Sequence, residues 1–190
     1  MADIRDQKLL YHLTALDNLP SIFSDGLKAR AHVVAFRDVA DHQIIEKRKS
    51  FGLEGFVPFH WFAKNPFDGS VQIAHRNKPF VLITVHRALA QREGWKIIPR
   101  HPLSNDEIEL LDYAKGFDAI DWPTMNKRDY LDPISKSVCM AECLSPKAVP
   151  VSSFCKIFVP SPDIERIVMD ETAELEQAID VVVNENMFLK

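Results

Sequence analysis

A glutamate set among apolar residues is the first candidate for chemistry in this sequence. Glu142 lies on a strand predicted over residues 138–144, between Met140 and Leu144. Burying an unpaired carboxylate costs free energy, whereas a carboxylate held in a cleft can stabilise positive charge during a reaction. From the residues alone, Glu142 is therefore either a functional group or an edge-strand glutamate that faces water.

Two further side chains are candidates at the other end of the chain. His12 lies on a predicted strand, with Thr14 on the same face two residues later. Arg48 lies on a helix predicted over residues 39–49, and a guanidinium can hold a pyrophosphate through two parallel hydrogen bonds. His12 is equally compatible with a structural role, and Arg48 with a solvated basic helix face. Only folding could bring either residue to Glu142.

The motif scan excludes the usual ways of binding a nucleotide through a loop. The sequence contains no GxGxxG, GxxxxGK[ST], HExxH or GxSxG motif and only six glycines. Any nucleotide must therefore be held by side chains and strand edges. The three cysteines, Cys139, Cys143 and Cys155, form no CxxC pair, which gives no metal signature and is typical of a reducing compartment.

Length and charge narrow the class of protein. A chain of 190 residues predicts a single domain over residues 1–190, and a net charge of −4 argues against binding DNA or a membrane through bulk charge alone. Acidic residues are concentrated in 163–190, which we predict to be an acidic C-terminal helical segment. The N-terminus lacks a signal-peptide core, and no run approaches the roughly 18 apolar residues of a membrane span. We therefore expect a cytoplasmic protein.

The periodicity predicts a mixture of strands and helices without regular alternation. Strands are predicted over residues 9–13, 56–62, 80–85, 117–122, 138–144 and 155–159. Helices are predicted from Asp17 or Asn18 to Gly26, after the capping box at 104–107 up to Gly116, and over 172–183. This order indicates an α+β protein with a largely antiparallel sheet.

Four segments, taken in order, resemble the DarT-type DNA ADP-ribosyltransferases, bacterial toxins paired with a macrodomain antitoxin. The segments are Tyr11-His12-Leu13-Thr14 with Asn18; Ala40-Asp41 to Lys47-Arg48; Phe56-Val57-Pro58-Phe59 with Pro66; and Phe117 to Trp122 followed by Ala141-Glu142. The resemblance spans residues 11–159. It implies an ADP-ribosyltransferase fold, in which a split β core holds NAD in a cleft.

The resemblance also implies roles for individual residues. Glu142 would bind the ribose 2′-hydroxyl and stabilise the positive charge that develops at C1′ as nicotinamide leaves. His12 and Thr14 would orient the adenosine ribose, and Arg48 would act in catalysis or hold the pyrophosphate. Asn18 would contact the dinucleotide or cap a helix.

The aromatic strand departs from the family pattern. His60 stands where the family usually carries tyrosine, and Phe67 where a methionine near nicotinamide is expected. His60, Trp61 and Phe67 are therefore candidates to line the nicotinamide site. Core packing is the alternative for at least two of His60, Trp61 and Phe62.

The segment before Glu142 is expected to select the acceptor. Its basic and aromatic residues are Lys127, Arg128, Tyr130 and Lys136, a mixture that suits single-stranded DNA, although a solvated loop has the same composition. Met140 stands where thymidine-modifying members would carry glutamine, and methionine forms no strong hydrogen bond to a base. Thymine and guanine therefore both remain open as targets.

The leading hypothesis is NAD-dependent transfer of ADP-ribose to a base of single-stranded DNA by a toxin with a macrodomain antitoxin. One alternative is a transferase of the same fold that acts on RNA or protein, or removes an RNA 2′-phosphate. The other is a nucleic-acid-binding module without catalysis.

Overall fold

The computed structural model describes residues 3–33, 49–101 and 109–189. Eight strands run through these residues: β1 Leu9–Ala15, β2 Val57–His60, β3 Phe80–His86, β4 Lys96–Ile98, β5 Leu111–Asp112, β6 Glu142–Ser145, β7 Lys156–Val159 and β8 Asp180–Val183. They form one sheet in the order β5-β4-β6-β2-β1-β3-β7-β8. Neighbours are antiparallel except for β7 and β8, which are parallel.

Seven α-helices flank the sheet in the described residues: α1 Leu19–Asp25, α2 Pro66–Ala74, α3 Arg87–Arg92, α4 Tyr113–Ala119, α5 Trp122–Lys127, α6 Pro133–Val138 and α7 Pro162–Thr172. Proline occupies the first or second position of α1, α2, α5, α6 and α7, where its missing N–H costs no hydrogen bond. In the part of the chain covered here, every helix is too short or too polar to cross a membrane.

The sheet is nearly divided between β1 and β2. All seven residues of β1 pair with β3, but β1 meets β2 at the single pair Tyr11 and His60. Pro58 explains the short ladder, because it has no N–H to donate to a neighbouring strand. The predicted α+β class with a split, mostly antiparallel sheet is confirmed.

Apolar side chains cover both faces of the sheet. The larger cluster includes Leu10, Phe59, Trp61 and Trp95, and the smaller one includes Tyr11 with residues of β3 and the C-terminus. Because side chains alternate along a strand, consecutive residues of β1 contribute to opposite faces. This alternation decides which cleft each functional side chain can reach.

Four of the predicted strands are confirmed, namely those at 9–13, 56–62, 80–85 and 155–159, which correspond to β1, β2, β3 and β7. The strand predicted at 117–122 is wrong, because this segment joins α4 to α5. Its apolar residues face the core from two short helices, and a short apolar run does not distinguish the two structures. The strand predicted at 138–144 begins only at Glu142, so Met140 lies in the preceding turn.

The C-terminal segment 163–190 is helical in its first part only. Helix α7 runs from Pro162 to Thr172, and the helix predicted over 172–183 is wrong because Asp180–Val183 is β8. The valines of β8 are β-branched and favour a strand, and they pair with β7. The helix predicted over 39–49, apart from its last residue, and the capping box at 104–107 lie outside the described residues. The helix predicted from that box to Gly116 is wrong in its described part, because Leu111–Asp112 is β5 and Gly116 lies inside α4.

Candidate active site at the division of the sheet

Glu142 is buried on an interior strand. It is the first residue of β6, pairs with His60 of β2 on one side and with Ile98 of β4 on the other, and is 6% exposed. The alternative of an edge-strand glutamate facing water is therefore wrong. The Glu142 carboxylate is therefore largely shielded from water.

His60 and Phe67 lie beside this carboxylate. Cross-strand partners project to the same face of a sheet, so Tyr11, His60 and Glu142 share one face. The rings of His60 and Phe67 stack at a centroid distance of 5.2 Å and an angle of 26°. Of the aromatic residues predicted to line the nicotinamide site, these two are next to Glu142.

His12 lies at the division between β1 and β2. Its Nδ1 is 2.8 Å from the carbonyl oxygen of Pro58, so the side chain replaces the backbone bond that the ladder lacks there. Burial lowers the pKa of His12, which favours the neutral ring. With Nδ1–H donating to the carbonyl, Nε2 is left as a hydrogen-bond acceptor.

Thr14 and Asn18 are joined by a hydrogen bond. Asn18 Nδ2 donates to Thr14 Oγ1 at 3.2 Å. Asn18 occupies the N-cap position of α1, but its side chain makes no capping bond there. Its amide is directed toward β1, which places it on the same side of the strand as His12 rather than over the helix end.

His12 and Glu142 reach the same strand from its two sides. His12 contacts β2 at Pro58, and Glu142 pairs with β2 at His60. Two inter-strand spacings separate β1 from β6, about 10 Å. Both residues thus adjoin β2 at the division of the sheet, but strand alternation puts their side chains on opposite faces. Their shared dinucleotide pocket stays a prediction, and Arg48 lies outside the described residues.

Trp61 belongs to the core and not to the cleft. It is 1% exposed and packs edge-on against Trp122 at 5.2 Å, with the Arg87 guanidinium 4.8 Å above its ring. It lies one residue beyond His60 and contributes to the opposite side of the sheet. This burial favours the packing alternative for Trp61, and its contact with the cofactor stays a prediction.

The segment before Glu142 that was expected to select the acceptor is mostly helical. Helices α5 and α6 occupy most of it, and the turn between them carries Arg128 and Tyr130. The Arg128 guanidinium lies 4.6 Å from the Phe62 ring centroid, and the Tyr130 hydroxyl donates to the Lys64 carbonyl at 2.9 Å. Lys127 and Lys136 are exposed.

Arg128 and Tyr130 border a cavity of about 460 Å³, which we call the Tyr11 cavity. Its lining residues are Gln7, Tyr11, Phe62, Ala63, Lys64, Arg128, Tyr130, Asn186 and Met187. Lys127, Lys136 and Met140 are not among them. The structure therefore brings two of the five predicted acceptor-side residues together.

Two buried charged residues near the site escaped sequence reasoning. Asp68 is 1% exposed; burial raises its pKa to about 7 although it accepts a hydrogen bond from the Lys64 N–H. The capping pattern Asn65-Pro66 before it was the available signal. Arg87 donates to the carbonyls of Ile4, Arg5, Leu9 and Trp61, and no local pattern announces this role.

Comparison with known proteins identifies the family. The family model described as "ssDNA thymidine ADP-ribosyltransferase, DarT" matches residues 11–189. The chain belongs to the DarT family. A comparison with curated protein sequences gives no significant match.

Solved structures of DarT proteins share the fold of this DarT chain. Thermus sp. 2.9 DarT in complex with ADP-ribosylated ssDNA matches with a TM-score of 0.82 and 19% identity, over 95% of this chain and 96% of that one. The same protein in complex with NAD+ matches with a TM-score of 0.79 and 16% identity, over 97% and 98%. Thermosipho africanus DarTG in complex with ADP-ribose matches with a TM-score of 0.76 and 22% identity, over 96% of this chain and 51% of that one.

Proposed function

We propose that this DarT chain transfers ADP-ribose from NAD to a nucleobase of single-stranded DNA and releases nicotinamide. The observation that carries the proposal is Glu142, a buried carboxylate on an interior strand beside His60, in a chain that matches the DarT family over residues 11–189. The Thermus relatives in complex with NAD+ and with ADP-ribosylated ssDNA support the same substrates.

Glu142 would act at the bond that breaks. The C1′–N bond to nicotinamide is cleaved, its electron pair leaves with nicotinamide, and an atom of the base forms a new bond to C1′ while the base gives up a proton. Positive charge develops at the ribose during this exchange, and a nearby carboxylate stabilises it. By accepting a hydrogen bond from the 2′-hydroxyl, Glu142 would also fix the ribose.

His12, Thr14 and Asn18 would hold the other end of the dinucleotide. The neutral His12 ring keeps an acceptor at Nε2, which is the group that a ribose hydroxyl requires. The amide of Asn18, anchored on Thr14, adds polar groups on the same side of β1. Arg48, in the segment that the structure does not describe, retains its proposed role in catalysis or at the pyrophosphate.

The acceptor base is the finer part of the proposal. The description of the family names thymidine, which supports thymine. Met140, in the turn that precedes β6, offers no strong hydrogen bond to any base, and guanine is retained as the second candidate. We also propose a macrodomain antitoxin as partner and the cytoplasm as location, which the free cysteines Cys139, Cys143 and Cys155 suit.

Exchanging the acceptor tests the proposal. Purified protein and NAD are incubated separately with mixed-sequence DNA oligonucleotides, the same sequences as RNA, and a protein mixture, followed by mass spectrometry of the products. We expect an ADP-ribose adduct on single-stranded DNA, and digestion to nucleosides then identifies the base. An adduct confined to RNA or protein, or none on any acceptor while NAD still binds, would overturn the proposal.

A further inference from the structure

The Tyr11 cavity lies on the face of the sheet that carries Glu142. Tyr11 pairs with His60, and His60 pairs with Glu142, so the three side chains form a row across β1, β2 and β6. Tyr11 is thus about 10 Å from Glu142 along the row, which is short enough for one extended nucleic acid strand to reach both. The cavity volume of about 460 Å³ falls in the range of small-ligand sites, roughly 300–1,000 Å³.

The wall of this cavity carries polar groups without a protein partner. Among the described residues, the side chains of Gln7, Tyr11, Lys64, Arg128 and Asn186 make no hydrogen bond or ion pair, although Tyr11 is 8% exposed. Lys64 and Asn186 are exposed and Gln7 and Arg128 are half-buried, so these polar groups are accessible to a polar ligand. No acidic side chain lines the cavity in the described ranges, which favours an anion.

The aromatic residues of the wall select the rest of the ligand. Arg128 stacks on Phe62, which leaves its N–H groups at the edge free to bind a phosphate. Tyr130, which is exposed, and Tyr11 at the base of the cavity supply rings on which a base can stack. Sites for single-stranded nucleic acids typically combine a cation for the phosphate with aromatic rings for the base.

The wall is also held rigidly. Lys64 and Arg128 both adopt positive φ, 59° and 50°, and they are the two non-glycine residues to do so in the described part of the chain. The backbone of Lys64 is fixed at both ends, because its N–H donates to Asp68 and its carbonyl accepts from Tyr130. Strained backbone of this kind is maintained where surrounding contacts hold it and is common at ligand sites.

The cavity is distinct from the proposed position of the dinucleotide. His12 and Thr14 lie on the other side of β1 from Tyr11, because side chains alternate along the strand. The C-terminal residues Asn186 and Met187 also line the cavity. The adenosine end of NAD, held by His12 and Thr14, would therefore leave the Tyr11 cavity open to the acceptor, while Glu142 lies on the face of that cavity.

We propose that the Tyr11 cavity binds one nucleotide of the acceptor strand next to the base that is modified. Its phosphate lies against Arg128 and Lys64, and its base stacks on the tyrosine rings within reach of Asn186. This subsite rests on the proposed DNA transfer, and it gives the C-terminal segment a part in choosing the sequence around the target.

Binding of fluorescent single-stranded oligonucleotides without NAD tests the subsite, using the full chain and anisotropy. Arg128→Ala removes the cation, and Asn186→Trp fills the cavity from an exposed position. Each is expected to weaken oligonucleotide binding about tenfold and to leave NAD affinity, measured by calorimetry, unchanged. Arg76→Ala is the charge-matched control, since Arg76 is exposed and outside the cavity lining, and melting curves verify that each variant folds.

Oligonucleotide binding within twofold of the wild type for both variants would overturn the subsite. Weakened NAD binding with intact oligonucleotide binding would overturn it too, by assigning the cavity to the dinucleotide. Failure of the proposed function would give a different result. Oligonucleotide binding would still be weakened by Arg128→Ala, but the bound oligonucleotides would acquire no ADP-ribose adduct when NAD is present.

Discussion

Two buried carboxylates lie close in the fold to the stacked pair of His60 and Phe67. Glu142 pairs with His60, and Asp68 follows Phe67, the residue that stacks on His60. Glu142 is positioned by strand pairing, whereas Asp68 holds the backbone of Lys64. The first is suited to chemistry and the second to shaping the wall of the Tyr11 cavity.

Asp68 makes the stability of the fold depend on pH. Burial raises its pKa to about 7 in the folded protein, from 3.8 when exposed, so the folded state binds the proton more tightly than the unfolded state does. The free energy of unfolding therefore falls by at most about 4 kcal/mol as pH rises from about 4 to 7. Above pH 7, the contribution of Asp68 no longer changes with pH. Urea denaturation at a series of pH values measures this.

Asp68→Asn is the matched variant for this prediction. It keeps an oxygen to accept from the Lys64 N–H and removes the charge, so the fall in stability between pH 4 and 7 should largely disappear. The same slope in variant and wild type would show that another group is responsible.

At the residue scale, the sequence singled out the residues that a motif names and missed those that only three-dimensional contacts reveal. His12 and Glu142 were selected by residue type and by the apolar strands around them. In the fold, His12 is hydrogen-bonded to Pro58 of β2 and Glu142 pairs with His60 of β2. Trp61 shared the same motif, yet strand alternation directs it into the core. Arg87 bonds to carbonyls from three distant parts of the chain, which no sequence spacing encodes.

At the scale of elements, one proline shapes the cleft. Pro58 interrupts the ladder between β1 and β2. The carbonyl of Pro58 is hydrogen-bonded to the His12 side chain instead of to the backbone of β1. The proline was visible in the sequence, and so was the strand around it.

The short helices α4, α5 and α6 could not be recognised from the sequence. Six or seven residues contain too few turns to show a helical period.

Helix α4 packs so closely on β4 that only glycine fits at one position. A Cβ on Gly116 would lie 2.4 Å from Ile97 Cβ, so Gly116→Ala should destabilise the protein by about 1–3 kcal/mol. Gly69 of α2 has open space around it, and Gly69→Ala should stabilise by up to about 1 kcal/mol. Thermal denaturation of the pair measures both, and equal shifts would contradict the packing of α4.

Arg87 ties together elements on both sides of the division. It is 6% exposed and its carbonyl partners belong to the N-terminal segment, β1 and the end of β2, so Arg87→Ala leaves several acceptors unsatisfied. We expect a loss of about 3 kcal/mol or more in urea denaturation. Arg92→Ala, in the same helix but exposed, should change stability by less than about 0.5 kcal/mol; similar losses in both would refute the role of Arg87.

The whole molecule combines a negative net charge with a small basic site. The net charge is −4, yet the Tyr11 cavity presents Lys64 and Arg128 without an acidic neighbour in its lining. Composition predicts that binding does not occur through bulk charge alone. It could not locate the cavity, because Tyr11, Lys64, Arg128 and Asn186 meet only in the folded chain.

Oligonucleotide binding should therefore depend only moderately on salt. Each neutralised phosphate of a single strand contributes a slope of about −0.7 to log K against log salt. With Lys64, Arg128 and the exposed Lys127 and Lys136 as contacts, the slope should lie between about −1 and −3. Arg128→Ala should make it shallower by about 0.7, and a slope steeper than about −5 would require a basic surface elsewhere.

The rate of ADP-ribose transfer to single-stranded DNA by Glu142→Gln tests the central claim most directly. At saturating NAD, we predict a loss of at least about 10²-fold in rate, with NAD affinity and melting temperature little changed. Glu176→Gln, at an exposed position, serves as the control and should retain the wild-type rate. Transfer by Glu142→Gln at a rate close to that of the wild type would contradict the assignment of this carboxylate to the reacting ribose.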